Sequence, residues 1–270
     1  MSKSIKVFSP ATVSNVTCGF DVLGFALEKP GDIIVARENA SKGAHINQII
    51  GSQNIPIDPL ENVATVAANA LLKHLGSGAG IEFTLYKNIK PGSGIGSSAS
   101  SATAAVFATN QLLGTPIKNS FDLLPFAMAG EQIASGAFHA DNVAPALLGG
   151  FVIVRSNDPL DVIQLGTPPD LYAVVIHPDL QIKTAESRKL LPKQVPLKDV
   201  VTQTGNLAGL VAGPQHRGPG RAPRHGRART RSLARSRARP LCAPALTAPL
   251  GFWRTKSEAK SELKVSSDRG

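Results

Sequence analysis

Apolar and polar residues alternate with two different periods along the chain, which predicts both strands and helices. Residues 81–87 alternate in the manner of a β-strand with one buried face. In residues 62–75, apolar side chains recur every three to four positions, as on one face of an α-helix, and Gly76 ends the run. An alanine-rich run at residues 98–113 predicts a second helix, so the pattern favours a mixed fold.

The same reasoning predicts further elements, which complete an α+β fold in two parts. One part surrounds the strand and helix at residues 81–113, and an incomplete α/β unit follows it. The most apolar stretch, residues 143–154, is interrupted by proline and glycine and is too short to span a bilayer. We expect additional strands at 5–8, 31–37, 44–50, 151–155 and 171–177, and additional helices at about 121–137 and 196–212.

A glycine-rich segment, PGSGIGSSASS at residues 91–101, connects the strand at 81–87 to the helix at 98–113. Glycine lets backbone N–H groups come close to an anion, and the N–H groups of the first helical turn point toward it. The helix dipole adds roughly half a positive charge at that end. Serine hydroxyls can bind phosphate oxygens or a magnesium ion. The segment therefore predicts a phosphate-binding loop.

Two other interpretations of this loop are weaker. It is not a Walker A loop, because no lysine follows the last glycine. Residues 94–99 fit a loose dinucleotide-binding pattern, but such a loop usually opens its domain, and about ninety residues come first here. A flexible serine-rich turn is the third interpretation, and such turns rarely lie between a clear strand and a clear helix. Phosphate binding is favoured.

The formal net charge of +10 is concentrated in one part of the chain. Residues 1–213 carry a net charge of −1, whereas residues 214–270 carry +11. The basic character therefore says nothing about the partners of residues 1–213. Cys18 and Cys242 lie in these two dissimilar regions, so we expect no disulfide framework. With no apolar run typical of a signal peptide at the start, a cytoplasmic protein without membrane association is expected.

Polar residues with potential chemistry lie in other segments. Asn15 and Asp21 flank a glycine-containing turn, where they are either substrate contacts or ordinary turn residues. Glu131 is a magnesium ligand if its helix faces the phosphate loop, and a surface carboxylate otherwise. Thr184 and Arg188 share a helical face, on which the arginine either binds a carboxylate or is solvated. A polar cluster, His139-Ala140-Asp141-Asn142, lies between the last two segments.

Four segments together resemble the homoserine kinases, a branch of the GHMP small-molecule kinase family. The segments are PATVSNVTCGFDVLGFAL, PGSGIGSSAS, HADNVAPALLGG and KTAESRKLLP, in family order, and the resemblance covers about residues 3–213. It implies transfer of the γ-phosphoryl group of ATP to the hydroxyl of L-homoserine. The product would be O-phospho-L-homoserine, on the route to threonine. A non-catalytic nucleotide-binding remnant of the fold is the alternative.

The resemblance also implies a two-domain fold and a role for each matching residue. Residues 1–155 would form an ATP-binding domain like domain 2 of ribosomal protein S5, and residues 156–213 a truncated ferredoxin-like domain. A homodimer is compatible with the resemblance. Asn142 and Arg188 are the implied catalytic residues, with direct transfer and no dedicated base. The implied homoserine contacts are Asn15, Asp21, His139, Asn142, Thr184 and Arg188, and the implied Mg²⁺ ligands are Ser98 and Glu131. The implied ATP contacts are Asn62, Pro91, Gly92, Ser93, Gly94, Ile95, Gly96, Ser97, Ser98, Ala99, Ser100 and Ser101.

The resemblance stops at about Gly213. Residues 214–270 contain 11 Arg and 6 Pro but no Ile, and no run in them has the period of a strand or a helix. A second substrate arginine and a third glycine- and serine-rich motif, which the resemblance implies, do not occur there. A shifted reading frame, a disordered basic tail that binds nucleic acid, and an unfamiliar folded domain are the competing explanations, with the first favoured. We expect poor solubility and reduced kinase activity.

Overall fold

The computed structural model describes residues 3–136, 138–167, 171–176 and 191–213. Thr184, Arg188 and the tail at 214–270 lie outside this part of the chain. The described elements, in chain order, are β1 (Ser4–Val13), β2 (Leu23–Asn39), β3 (Gly43–Ile50), α1 (Val63–His74), β4 (Gly80–Tyr86), α2 (Ser97–Leu112), a 3₁₀ turn (Ser120–Leu123), α3 (Leu124–Ser135), α4 (Val143–Leu148), β5 (Phe151–Asn157), β6 (Leu160–Leu165) and α5 (Leu197–Ala212).

The six strands form one sheet in the order β3-β4-β2-β5-β6, with β1 also paired to β2. The long strand β2 holds the sheet together, because residues 33–39 pair with β4 and residues 23–25 pair with β5. All these pairs are antiparallel except β3 with β4. A parallel pair needs a crossover connection, and α1 provides it.

Helices α1, α2 and α3 pack together on one face of the sheet, with α2 in the centre. Thirteen of the 16 residues of α2 are buried, and its many alanines let neighbouring elements approach closely. The close approach is clear at Gly130 in α3, where a β-carbon would lie 2.4 Å from the carbonyl oxygen of Val63 in α1. The core also contains large side chains from the strands, including Val7, Ile34 and Phe83.

The mixed α/β content agrees with the prediction, but several boundaries differ. β1 continues past Pro10, which is tolerated because β2 is the only partner of β1 among the described strands and the register shifts between Pro10 and Thr12. The helix predicted at 121–137 begins with a 3₁₀ turn and ends at Ser135. Helix α4 and strand β6 were not predicted.

The strand predicted at 171–177 is wrong for the residues that the structure describes. Residues 171–176 form no strand of the sheet. Instead, Leu171 and Ala173 pack on a second apolar cluster that includes Phe25 and Ile89. The predicted domain boundary at 155/156 falls inside β5, whose partner β6 belongs to the same sheet. The two-domain division stays a prediction.

None of the helices in the described residues combines the length and the apolar character that crossing a bilayer requires.

Asn62 begins helix α1 as its N-cap residue. Its Oδ1 accepts a hydrogen bond from the N–H of Ala64 (2.9 Å), and its Nδ2 donates one to the carbonyl of Pro56 (2.6 Å). We expect Asn62→Ala to lower the free energy of unfolding by about 1–2 kcal/mol, because it removes the cap and leaves these groups unpaired. Urea unfolding measures this change. Asn47→Ala, at an exposed position, is the control, and an equal loss in both variants would contradict the capping role.

Candidate functional site

The glycine-rich loop joins the end of β4 to the first turn of α2. Gly92, Gly94 and Gly96 have φ angles of 75°, 76° and 68°, a left-handed conformation that glycine adopts without strain. Gly96 is the N-cap residue of α2, and no side chain caps the helix there. The backbone N–H groups of the first turn have no helical carbonyl to bind. The loop therefore has the left-handed backbone and the helix N-terminus that an anion site requires, and phosphate binding here stays a prediction.

Most serine hydroxyls of the loop hold the protein together rather than facing outward. Ser97 Oγ donates to the carbonyl of Ile89 (3.0 Å), and Ser100 Oγ donates to the carbonyl of Ser9 (2.9 Å). Ala99, Ser100 and Ser101 are buried, and the backbone N–H of Ser100 already donates to the carbonyl of Gly96 (2.9 Å). Ser93 differs, because its hydroxyl is enclosed without a hydrogen-bond partner among the described residues.

Ser98 and Glu131 meet across helices α2 and α3, and the Ser98 hydroxyl hydrogen-bonds to the Glu131 carboxylate. The condition set by the sequence is therefore met: the helix that carries Glu131 faces the phosphate loop. A hydroxyl and a carboxylate beside free N–H donors suit Mg²⁺, which typically takes one or two protein oxygens and completes its shell with phosphate and water. In the described residues, no group of three or more His, Cys, Asp and Glu side chains is placed so that it could hold a metal ion, so any ion here would rely on such a small set.

Burial raises the pKa of Glu131 to about 7, and the charge of Asp141 adds to this effect while the hydrogen bond from Ser98 opposes it. In the unfolded chain the carboxyl titrates near its ordinary value. The folded, metal-free protein therefore binds more protons than the unfolded chain between those two values, and its stability falls as pH rises through that window. The expected loss is about 3 kcal/mol by pH 8.

Glu131→Gln should abolish this contribution to the pH dependence. Urea unfolding of both proteins at pH 5 and pH 8, in the presence of a chelator, measures it. If the free energy of unfolding depended on pH equally in the wild-type protein and in the variant, the raised pKa of the Glu131 carboxyl would be contradicted.

Asn142 lies directly against the phosphate loop. A β-carbon on Gly96 would be 2.1 Å from Thr12 Oγ1 and 3.1 Å from Asn142 Oδ1. Thr12 Oγ1 donates to Asn142 Oδ1 (2.9 Å), and Asn142 Nδ2 donates to Ser14 Oγ (2.9 Å). These two contacts fix the orientation of the Asn142 amide beside the loop.

Ser14 connects the remaining polar residues of this cluster. Its hydroxyl also accepts a hydrogen bond from Asn15 Nδ2 (3.0 Å) and bonds the carboxylate of Asp141. Asn15 Oδ1 in turn accepts from the backbone N–H of Asp21 (2.9 Å), which closes the turn between them. Asn15, Asp21 and Asn142, which the sequence singled out separately, are thus brought together around Ser14.

Asp141 is the acidic residue of this cluster that the sequence analysis did not select. Burial raises its pKa, and the charge of Asp21 raises it further, whereas His139 lowers it. These couplings mean that Asp21, His139 and Asp141 lie near one another. His139 Nδ1 is enclosed and, within the described residues, has no hydrogen-bond partner. Its position next to Asn142 in the sequence was the feature from which Asp141 could have been selected.

Asn62 uses its whole side-chain amide within the protein, as described for helix α1. Its contacts fix the segment 56–61, in which Ile57 and Leu60 are strongly exposed. An adenine contact near Asn62 stays a prediction.

Comparison with known proteins agrees with this site. The family described as GHMP kinases N terminal domain matches residues 62–150, which include the loop, α3 and Asn142. A homoserine kinase from Chloroherpeton thalassium is 46% identical over 222 residues, covering 78% of this chain and 69% of that protein. A relative with the same description from Methanococcus maripaludis is 40% identical over 211 residues, covering 77% and 68%.

Solved structures show the same relationship. The crystal structure of homoserine kinase from Cytophaga hutchinsonii matches with a TM-score of 0.75 and 52% identity, covering 79% of this chain and 68% of that chain. The mevalonate kinase of Methanococcus jannaschii, at 14% identity and a TM-score of 0.59, covers 77% and 72% and shares the fold. The protein described here belongs to the homoserine kinase family, within the GHMP kinases.

Proposed function

We propose that this protein transfers the γ-phosphoryl group of ATP to the side-chain hydroxyl of L-homoserine. Family membership supports the reaction. One observation supports it most directly: Asn142 contacts Thr12, and both border Gly96, so the cluster around Ser14 adjoins the phosphate loop. Phosphoryl transfer requires a donor site and an acceptor site in contact, because the reaction depends mainly on positioning and charge stabilisation.

In this mechanism the triphosphate accepts hydrogen bonds from backbone N–H groups of the phosphate loop and of the first residues of α2, Ser97 and Ser98. The N-terminus of α2 adds its partial positive charge, and the Ser93 hydroxyl is a further donor. Ser98 and Glu131 would hold Mg²⁺. A magnesium ion bound between them supplies positive charge that offsets the negative charge on the phosphate oxygens.

The acceptor hydroxyl would lie beside Asn142. Because a carboxamide does not take up a proton at neutral pH, Asn142 orients the hydroxyl and does not deprotonate it. Asn15, Asp21 and His139 contribute polar groups for the amino-acid part of the substrate. We assign Arg188 to its carboxylate, since an arginine binds a carboxylate through two parallel hydrogen bonds, and Thr184 to a further homoserine contact.

Four further parts of this proposal are expectations that the resemblance to the family supports. They are use of Mg²⁺, participation in threonine biosynthesis, action in the cytoplasm and a homodimeric assembly.

A phosphohomoserine assay with ATP, Mg²⁺ and L-homoserine tests the proposal, paired with equilibrium binding of a fluorescent ATP analogue. Product formed only when all three components are present supports the kinase. Nucleotide binding without product would identify a non-catalytic remnant of the fold. L-Serine, which is one methylene shorter, is the control acceptor, and equal rates with both amino acids would contradict homoserine specificity.

A further inference from the structure

A buried ion pair, Lys87 with Asp32, lies beneath the phosphate loop. The side chains are 2% and 1% exposed, and the Lys87 ammonium contacts the Asp32 carboxylate directly. Asp32 belongs to β2, whereas Lys87 follows the last residue of β4. Burial lowers the pKa of Lys87, and the charge of Asp32 opposes that effect. Neither residue was selected from the sequence, because 55 positions separate them.

Each partner holds one end of the loop. Asp32 Oδ1 accepts hydrogen bonds from the backbone N–H groups of Asn88 (2.9 Å) and Ile89 (3.0 Å), where the chain leaves β4. Lys87 Nζ donates to the carbonyl of Ser97 (2.9 Å), the first residue of α2. It also donates to Ser101 Oγ (2.8 Å), one turn further along the helix. The ion pair thus connects the start of the loop to its end.

Lys87 has no hydrogen bond left for a nucleotide. An ammonium group has three N–H donors, and the Asp32 carboxylate, the Ser97 carbonyl and the Ser101 hydroxyl accept them. With 2% of its side chain exposed, Lys87 acts through the loop rather than on a phosphate.

A contribution to folding stability does not explain why a buried ion pair occupies this position. Removing two charges from water is costly, and apolar or neutral pairs of similar size are often as stable as a buried ion pair. What an apolar pair would lack is a directional bond to the Ser97 carbonyl. Because the adjacent N–H groups of Ser97 and Ser98 belong to the anion site, the position of this carbonyl decides where those donors point.

We infer that Lys87 and Asp32 are positioning residues for the phosphate loop: they set the span between Asn88 and Ser97 so that the first turn of α2 meets the triphosphate. This inference rests on the proposed function in taking a nucleoside triphosphate as the loop's ligand. In this inference the pair acts only through the loop, because its side chains are 2% and 1% exposed.

The test is the double variant Asp32→Asn/Lys87→Met. It removes both charges with little change in volume, and the carboxamide that replaces the Asp32 carboxylate keeps an oxygen for the N–H groups of Asn88 and Ile89. The bond to the Ser97 carbonyl is lost. The matched control is Asp161→Asn/Arg155→Met, which makes comparable changes in an exposed ion pair of β5 and β6 (3.1 Å).

We expect the double variant to melt near the wild-type temperature and to bind a fluorescent ATP analogue roughly ten- to a hundredfold more weakly. Amide hydrogen exchange should accelerate in residues 88–98 and stay unchanged in β1. Ser101→Ala should weaken nucleotide binding in the same direction by a smaller factor. In an active preparation, the KM for ATP should rise while the KM for homoserine changes little.

Wild-type nucleotide affinity in the folded double variant would overturn the inference. A double variant that fails to fold, beside a folded control, would also overturn it, because the pair would then hold the fold itself. Since the readout is nucleotide binding, a wild-type protein that binds the analogue but does not phosphorylate homoserine would refute the proposed function and leave this test decisive.

Discussion

Glu131→Ala and Ser98→Ala each lower kcat/KM for ATP by at least about a hundredfold in the phosphohomoserine assay. The expected size follows from loss of charge stabilisation at the phosphates, which typically changes rates by two to three orders of magnitude. Glu131 provides an enclosed carboxylate and Ser98 the hydroxyl bonded to it, so either substitution removes half of the proposed protein contribution to Mg²⁺ binding. Titration of activity with Mg²⁺ should show a higher requirement in both variants.

The matched controls are Glu38→Ala and Ser41→Ala, at exposed positions remote from the loop. Both should retain wild-type kcat/KM. Unchanged kcat/KM in Glu131→Ala or Ser98→Ala would refute the metal assignment.

Gly96→Ala is expected to reduce affinity for the ATP analogue by more than about a hundredfold. The added β-carbon would lie 2.1 Å from Thr12 Oγ1, a distance that forces the Thr12 side chain or the loop to move. The left-handed conformation at Gly96 adds about 1–2 kcal/mol of backbone strain. Displacement of Thr12 would also disturb the amide of Asn142, so homoserine turnover should fall together with nucleotide binding.

Comparison with Gly94→Ala distinguishes the effect of backbone strain from the effect of the steric clash at Gly96. Gly94 has a similar φ angle of 76°, but a β-carbon there meets no atom within 4 Å. Its affinity loss should be limited to about tenfold, the equivalent of the backbone strain alone. Fluorescence titration of both variants measures the difference. Equal losses would mean that contact between Gly96 and Thr12 has no part in the site.

The sequence predicted the parts of the site that depend on local pattern. The phosphate loop is one example, because its glycines need left-handed backbone and its helix starts next to them in the chain. Helix α4 was not predicted, since its six residues lie within an apolar stretch that has no helical period and contains a proline. The strand predicted at 171–177 was wrong for residues 171–176, because an apolar run satisfies the strand pattern even though none of the described strands pairs with it.

The parts that depend on contacts between distant residues could not be predicted. Thr12 meets Asn142 across 130 positions, and Lys87 meets Asp32 across 55. Ser14 gave no signal of its own, although it bonds Asn15, Asn142 and Asp141. The resemblance to a kinase family identified Asn142 and Glu131, but only the fold shows which neighbours orient them.

The near-complete enclosure of helix α2 has a consequence for how a ligand meets this protein. With 13 of 16 residues buried, the helix has little freedom to tilt or slide before a nucleotide arrives. The N–H donors at the N-terminus of α2 therefore have the same arrangement before and after a nucleotide binds. Nucleotide binding then costs the protein little conformational entropy. Isothermal titration calorimetry of ATP binding should therefore show only a small unfavourable entropy contribution from ordering of the protein.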